Sequence, residues 1–141
     1  MAVVSSGVSI TDTTPNLINN PADIKFDNGL IFASTGPIID PVSLTRTGTF
    51  SVSPGSNLNE TLVKPDSITL RVFFYQRDDV SAQATGKLLA FDRGTLQLLG
   101  SFDVENVAGK ASSLIRWGAK GLAFRTDSGQ VFIIESSKLI P

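Results

Sequence analysis

The stretch GKLLAFDRGTLQLLGSFDV, residues 86–104, repeats the pattern of residues 37–52. The two segments share five residues in the same order and at the same spacing: Asp40 and Asp92, Leu44 and Leu96, Gly48 and Gly100, Phe50 and Phe102, Val52 and Val104. A third, shorter copy at residues 131–139 places Ile134-Glu135 where Ile39-Asp40 and Phe91-Asp92 stand, and Leu139 where Leu44 and Leu96 stand. Asp40, Asp92 and Glu135 recur at strand ends and are predicted to accept hydrogen bonds from turn amides. The chain is therefore built from repeats.

Short strands fill each copy. β-Branched and aromatic residues form runs bounded by Gly, Pro, Asn, Asp and Ser, and no segment keeps a helical period. The pattern predicts an all-β chain with strands over residues 3–11, 23–26, 30–35, 37–40, 46–52, 61–64, 68–76, 86–92, 97–104, 112–117, 122–126 and 130–135.

Turn residues separate these strands. Asn28-Gly29 lies between Ile-Lys-Phe and Leu-Ile-Phe, and this pair supplies the positive φ angles of a two-residue hairpin. Residues 118–121 and 127–129 are predicted to form the turns of the last copy. In the middle copy, Pro65-Asp66-Ser67 predicts a turn in which proline presets φ.

Repeats of about 40–50 residues, each with several short strands, are typical of β-propeller blades. We expect a single propeller-type domain over residues 1–141, with four-stranded blades at 23–53, 60–104 and 111–141. The last copy lacks a fourth strand, and the N-terminal strand at 3–12 is expected to complete it. Closed propellers need roughly four to eight blades, so a six-bladed homodimeric ring is expected. The alternative is a fragment of a longer protein.

Composition excludes several classes of function. The 12 basic and 13 acidic residues are scattered, which argues against a nucleic-acid partner. No long apolar run predicts a membrane span or a signal peptide. The sequence leaves the compartment open: cytoplasmic as the chain is given, or exported if it is a fragment. Without cysteine or histidine, the sequence predicts no histidine-based catalytic triad, no ordinary zinc site and no cofactor.

The segments SLIRWGAKGLAFRTDSGQVF at 113–132 and DIKFDNGLIFAST at 23–35 are similar to the closing blades of bacterial seven-bladed β-propeller repeat proteins of the lactonase-like or amine-dehydrogenase-like type. The resemblance covers nearly the whole chain, but its motifs are scaffold motifs. It implies blade geometry and leaves the function open. Enzymatic members of such propellers use metal ligands or cofactor contacts, and no corresponding histidine-containing set is present.

Alignment of the copies puts Lys25, Lys64 and Arg116 at equivalent positions of the first strands, which line the channel of a propeller. These cations are candidate ligands for a small anion or an acidic peptide, since a ring of them would focus positive potential. The alternative is that each cation pairs with a nearby carboxylate such as Asp23 or Asp66 and serves packing.

A second candidate is the enlarged loop at residues 77–85, where Arg77, Asp78 and Asp79 are potential contacts. The spacing of its carboxylates is wrong for a calcium loop, and no metal site is predicted. Trp117 and Tyr75 are potential stacking platforms, although packing in the core or at an interface between blades is the better expectation for Trp117.

These observations favour a non-enzymatic scaffold that binds a ligand or a protein, with no catalytic residue assigned. One alternative is a carboxylate-dependent hydrolase of lactonase-like or glycosidase type, since Asp and Glu suffice for glycoside hydrolysis. Another is a structural module of a larger exported protein.

Overall fold

The computed structural model describes residues 12–18, 21–52, 60–77 and 84–141, together with the backbone of residues 2–4 and 7–9. The described residues form β-strands, turns and irregular segments, and none of them is helical. The predicted all-β class is therefore confirmed. Accordingly, the described part of the chain offers no helix capable of crossing a membrane.

Three antiparallel sheets follow one another along the chain, and each is a simple meander. The first sheet consists of β3 (Ile24–Asp27), β4 (Leu30–Ala33), β5 (Pro37–Asp40) and β6 (Thr45–Thr49). The middle sheet consists of β7 (Thr61–Asp66), β8 (Arg71–Arg77), β9 (Ala84–Asp92) and β10 (Leu98–Val107). The third sheet consists of β11 (Ala111–Trp117), β12 (Gly121–Thr126) and β13 (Val131–Glu135).

The N-terminal strands differ from the expectation. β1 (Ala2–Val4) and β2 (Gly7–Ser9) pair with each other, with Val3 opposite Val8, and the third sheet ends at β13. The described backbone of residues 2–4 and 7–9 therefore forms a hairpin of its own and does not pair with the third sheet, contrary to the expectation for residues 3–12. A short hairpin closes a much shorter loop than a pairing between the two chain ends, so its entropic cost is lower.

Local turn chemistry explains the hairpins. Asn28 and Gly29 both have positive φ angles, 45° and 83°, which matches the two-residue turn predicted between β3 and β4. Pro65 was predicted to lie in a turn, but it lies in β7 opposite Val72. β7 is an edge strand of its sheet, so the missing N–H of proline falls on the side without a partner strand.

The apolar side chains form two clusters, one on each face of the middle sheet. The cluster toward the first sheet contains Phe32, Ile38, Phe50, Val52, Val63, Val72, Phe74, Leu89 and Phe91. The cluster toward the third sheet contains Leu62, Phe73, Tyr75, Leu88, Ala90, Val104, Val107, Ala111, Leu114, Leu122, Phe124, Ile134, Leu139 and Ile140. The three sheets are thus stacked face to face, with the middle sheet covered on both sides.

Candidate functional site

The first strands of the three sheets lie side by side, because β7 contacts both β3 and β11. We call the surface that they form the first-strand surface. At one end of it lies a cleft of about 330 Å³ lined by Pro21, Ala22, Asp23, Thr61, Leu62, Lys110, Ala111 and Ser112. The cleft joins the starts of all three first strands, so it is the place where the sheets converge on a common surface.

Asp23 connects the first two sheets at this cleft. Its Oδ1 lies 2.7 Å from Lys25 Nζ, and its Oδ2 accepts a hydrogen bond from the Val63 N–H at 3.4 Å. Thr61 on β7 in turn donates its hydroxyl to Ser34 Oγ at 2.9 Å. The Lys25 side chain remains 41% exposed in this ion pair.

Lys64 occupies the corresponding position on β7. Lys64 lies opposite Phe73 on the adjacent strand, and Lys25 lies opposite Phe32. Directly opposite residues share a face of the sheet, and both phenylalanines face the next sheet along the chain, so each lysine points toward that sheet as well. Lys64 is half-buried, and no carboxylate of the described residues forms an ion pair with it. The predicted equivalence of these two lysines is therefore present in the fold.

Arg116 departs from that equivalence. It pairs with Leu122 and points toward the middle sheet, whereas an equivalent of Lys25 would point away from it. A register shift between Ser112 and Ile115 moves the rest of β11 by one residue, and Ser113 has a positive φ of 61° at this irregularity. A shift of one residue reverses the face that each later side chain occupies.

On that face Arg116 holds two sheets together. Its Nε lies 2.8 Å from Asp66 Oδ2, and its two terminal nitrogens donate to the carbonyl oxygens of Gly121 at 2.9 Å and Ala119 at 2.7 Å. The guanidinium carbon lies 5.6 Å from the centre of the Phe73 ring. These contacts are the packing arrangement that the sequence left as the alternative for Arg116.

Arg77 was expected in an exposed loop, but it is the last residue of β8 and is 3% exposed. Its Nη2 donates to Glu60 Oε1 at 2.7 Å, and its Nε lies 2.5 Å from Oε2 of the same carboxylate. Its Nη1 donates to the Val107 carbonyl at 3.1 Å. Asp78 and Asp79, the other two candidates in this loop, lie outside the described residues.

The sequence did not predict the contacts of a third arginine, which also joins distant parts of the chain. Arg93, in the turn after β9, forms an ion pair with Asp27 at the end of β3 and donates to the Asp27 carbonyl at 3.0 Å. It also lies over the Phe32 ring, 4.9 Å from its centre. The only signal in the sequence was an arginine directly after the repeated Asp92, and it gave no indication of the partner.

The repeated aspartates fold the turns, as their recurrence at strand ends predicted. Asp40 Oδ1 accepts from the N–H groups of Val42 and Ser43, and Asp92 Oδ1 accepts from those of Gly94 and Thr95. These turn hydrogen bonds hold the pKa of both carboxyls below the ordinary value of 3.8. Both carboxylates are therefore charged acceptors of their own turns.

The two aromatic candidates lie in opposite environments. Tyr75 is fully buried against Phe124, with ring centres 4.6 Å apart, and burial raises its pKa to about 12. Trp117 is 48% exposed, on the face of the third sheet that points away from the middle sheet. Core packing of Trp117 within the chain is therefore wrong, whereas packing at an interface between blades stays a prediction, and of these two candidates only Trp117 has an accessible ring.

The described residues contain no group of three or more Asp or Glu side chains that could hold a metal ion. Comparison of the chain with models of known protein families, with curated proteins and with solved structures found no match. The functional interpretation therefore depends on the geometry of the first-strand surface.

Proposed function

We propose that this protein is a non-enzymatic β-propeller-type scaffold that binds an acidic peptide or a small anion on its first-strand surface. The observation that carries the proposal is the pair Lys25 and Lys64, which project from equivalent positions of adjacent first strands beside a cleft. The Lys25 side chain is 41% exposed, and Lys64 has no carboxylate partner among the described residues. Neighbouring cations beside a concave surface concentrate anions.

Arg116 has no place in this binding surface, although the sequence grouped it with the lysines. Its donors are directed to Asp66 and to two carbonyl oxygens of its own hairpin. Lys110 lies on the wall of the cleft and is exposed, so it adds a third cation to the region instead. The proposed positive surface is thus made of lysines, while Arg93 and Arg116 join neighbouring sheets.

The hydrolase alternative has weaker support. Glycoside hydrolysis needs one carboxyl group that donates a proton and a second that remains available for water or the sugar. On the first-strand surface, Asp23 is paired with Lys25, Asp66 with Arg116, and Asp27 with Arg93. Each of these carboxylates stabilises contacts within or between sheets, so the surface is better suited to binding than to proton transfer.

A closed propeller needs more blades than the three sheets of one chain supply. Three stacked meander sheets with adjacent first strands are the arrangement expected of three propeller blades. We propose that two copies form a six-bladed homodimeric ring, in which the first strands of both chains surround a central channel. The resemblance to bacterial propeller repeat proteins supports the same architecture, and the binding surface would then be present twice.

Titration with an oligo-aspartate peptide at low ionic strength tests the binding proposal. The variant K25A/K64A is expected to bind at least tenfold more weakly, a loss of about 1.4 kcal/mol. Added salt should weaken binding to the unaltered protein, because exposed charges are screened within about 10 Å at 0.1 M. Inorganic phosphate in place of the peptide tests whether a single anion is enough.

Lys87→Ala is the matched control. Lys87 lies on β9, is 53% exposed and is 3.7 Å from Asp103, so its removal alters the net charge without touching the first-strand surface. Its affinity should equal that of the unaltered protein. Equal affinities for K25A/K64A and K87A would refute the proposed site, and the absence of any salt-sensitive binding to the unaltered protein would refute the proposed function.

A further inference from the structure

Two apolar faces at the ends of the sheet stack are exposed. On the third sheet, Ile115, Ala123 and Ile133 form a row across the strands on the face that points away from the middle sheet. Ile115 is 49% exposed and Ile133 is 54% exposed, and Trp117 lies on the same face. We call these four residues the third-sheet face.

The opposite end of the stack carries a similar surface. Ile24, Ile31 and Leu44 of the first sheet line an apolar groove of about 340 Å³, together with Leu17 and Ile18 of the preceding segment. Ile24 is 53% exposed. We call these five residues the first-sheet face. The middle sheet separates the two faces, so they cannot contact each other within one chain.

Inside the chain, equivalent faces are covered by the neighbouring sheet. Each covered contact includes apolar side chains from the place where the chain leaves one sheet for the next: Phe50 and Val52 after β6 in one cluster, and Val107, the last residue of β10, in the other. On the first-sheet face, Leu17 and Ile18 line the groove and come before β3 in the chain, as Val52 comes before β7. Arg46 anchors this segment by donating to the Leu17 carbonyl at 2.7 Å.

A leucine that recurs in the three copies is a second feature that the first-sheet face shares with the covered contacts. Leu96 packs against the neighbouring sheet at Gly48, where a Cβ would lie 3.2 Å from the leucine Cδ1. Leu139 is buried in the equivalent contact with the middle sheet, and the adjacent Lys138 carbonyl lies against Gly100. Leu44 is the third member of this repeat and lies on the first-sheet face. The first-sheet face therefore carries the leucine and the preceding apolar segment of the covered contacts. Gly48 and Gly100 lie on the fourth strands β6 and β10, which have no counterpart in the described third sheet, so the contact with a second copy uses the row Ile115, Ala123 and Ile133 instead.

We infer that the third-sheet face of one copy packs on the first-sheet face of a second copy. The inference rests on the proposed propeller function, because it extends the sheet-to-sheet contact found twice within the chain. Such a contact is head to tail, since it joins two different surfaces, and two of them between two chains close a dimer. The self-association partner is thus assigned to specific residues at each end.

Matched aspartate substitutions test the contact. Ile24→Asp and Ile133→Asp alter side chains of nearly equal exposure, one on each face, and Ile68→Asp alters a turn residue that is 93% exposed. By light scattering, the unaltered protein and I68D are expected at twice the chain mass of 15.0 kDa. I24D and I133D alone are each expected at the chain mass, with circular dichroism confirming that both remain folded.

Mixing the two variants gives the decisive measurement. I24D keeps an intact third-sheet face and I133D keeps an intact first-sheet face, so an equimolar mixture should form a heterodimer through one contact. The emission of Trp117, the sole tryptophan, should shift to shorter wavelength as this contact buries the ring. A mixture that stays at the chain mass, or a dimer of either single variant, overturns the head-to-tail contact.

Other outcomes are equally informative. A monomer of the unaltered protein at high concentration overturns the inference, whereas larger open assemblies that both variants abolish support the contact and overturn the closed dimer. Peptide titration of the same samples separates this inference from the proposed function. Binding without association overturns the contact between copies together with the six-bladed ring and leaves the first-strand site standing, whereas association without binding overturns only the first-strand site.

Discussion

Removing one partner of the buried Arg77–Glu60 ion pair is expected to destabilise the protein far more than removing both. The side chains are 2% and 6% exposed, and two nitrogens of the guanidinium face the two oxygens of the carboxylate. Arg77→Met leaves Glu60 as a buried charge without its partner, and Glu60→Leu leaves the guanidinium in the same position. Each single change should cost about 3–5 kcal/mol.

The double variant R77M/E60L should recover most of that loss. A buried ion pair replaced by apolar side chains of similar volume is often neutral or stabilising. The hydrogen bond from Arg77 to the Val107 carbonyl is lost in the double variant as well, which costs about 1 kcal/mol. We therefore expect the double variant to lie within about 2 kcal/mol of the unaltered protein, with a strongly non-additive cycle.

Urea unfolding monitored by circular dichroism measures this cycle. With a slope of roughly 1–3 kcal/mol per molar urea, a loss of several kcal/mol moves the midpoint by more than about 1 M. The exposed pair Lys87–Asp103, 53% and 62% exposed, is the control, and its single variants should cost about 0–1 kcal/mol. Single variants of Arg77 or Glu60 that cost less than about 1 kcal/mol, or a double variant as costly as their sum, would refute the reasoning.

Three further predictions follow from the packing and the pKa shifts. Gly100→Ala would place a Cβ 1.9 Å from the Lys138 carbonyl oxygen and should cost about 1–3 kcal/mol in urea unfolding, whereas Gly94→Ala, with no atom closer than 3.6 Å, should not. Tyr75 is the sole tyrosine, so the phenolate absorbance of the folded chain should titrate near pH 12 instead of 10.0. Because the pKa of Tyr75 is raised in the folded chain, the contribution of this phenol to stability is complete below pH 10 and is lost as the pH rises toward 12. Tyr75→Phe should remove this loss, and equal alkaline unfolding of the variant and the unaltered protein would contradict the prediction. The Asp92 pKa is lowered by the turn amides, so its contribution is present above pH 3.8 and is lost as the pH falls through the folded value; Asp92→Asn should show a smaller loss on acidification, measured by acid-induced unfolding.

The arginine and lysine side chains have different roles in this protein because their charged groups differ in chemistry. Arg77, Arg93 and Arg116 each combine an ion pair with a hydrogen bond to a backbone carbonyl. A planar guanidinium with several donors is suited to such contacts, whereas an ammonium group on a flexible chain is a more strongly hydrated point charge. The lysines of the first-strand surface are thus the cations that remain accessible to a ligand.

The strands and turns could be predicted from the sequence because they depend on residues that are close together in the chain. Alternating apolar residues and turn residues predicted the all-β class, the Asn28-Gly29 hairpin, and the acceptor role of Asp40 and Asp92 at their turns. Each of these features depends on residues only a few positions apart. The equivalence of Lys25 and Lys64 was also found by aligning the repeats, since no irregularity shifts β3 or β7.

The tertiary structure alone decided the features that depend on distant partners or on an irregular backbone. One extra residue in β11 turned Arg116 from the expected outward face to the middle sheet, and sequence alignment does not detect such a bulge. Arg77 meets Glu60, 17 positions earlier, and Arg93 meets Asp27, 66 positions earlier, so the sequence could not reveal their burial. The sequence likewise did not reveal that β1 pairs with β2. This pairing closes a shorter loop than pairing of the N-terminal strand with the third sheet. The sequence by itself determined the strands and turns through local chemistry, whereas the contacts between sheets, and hence the cations left free for a ligand, required the packed chain.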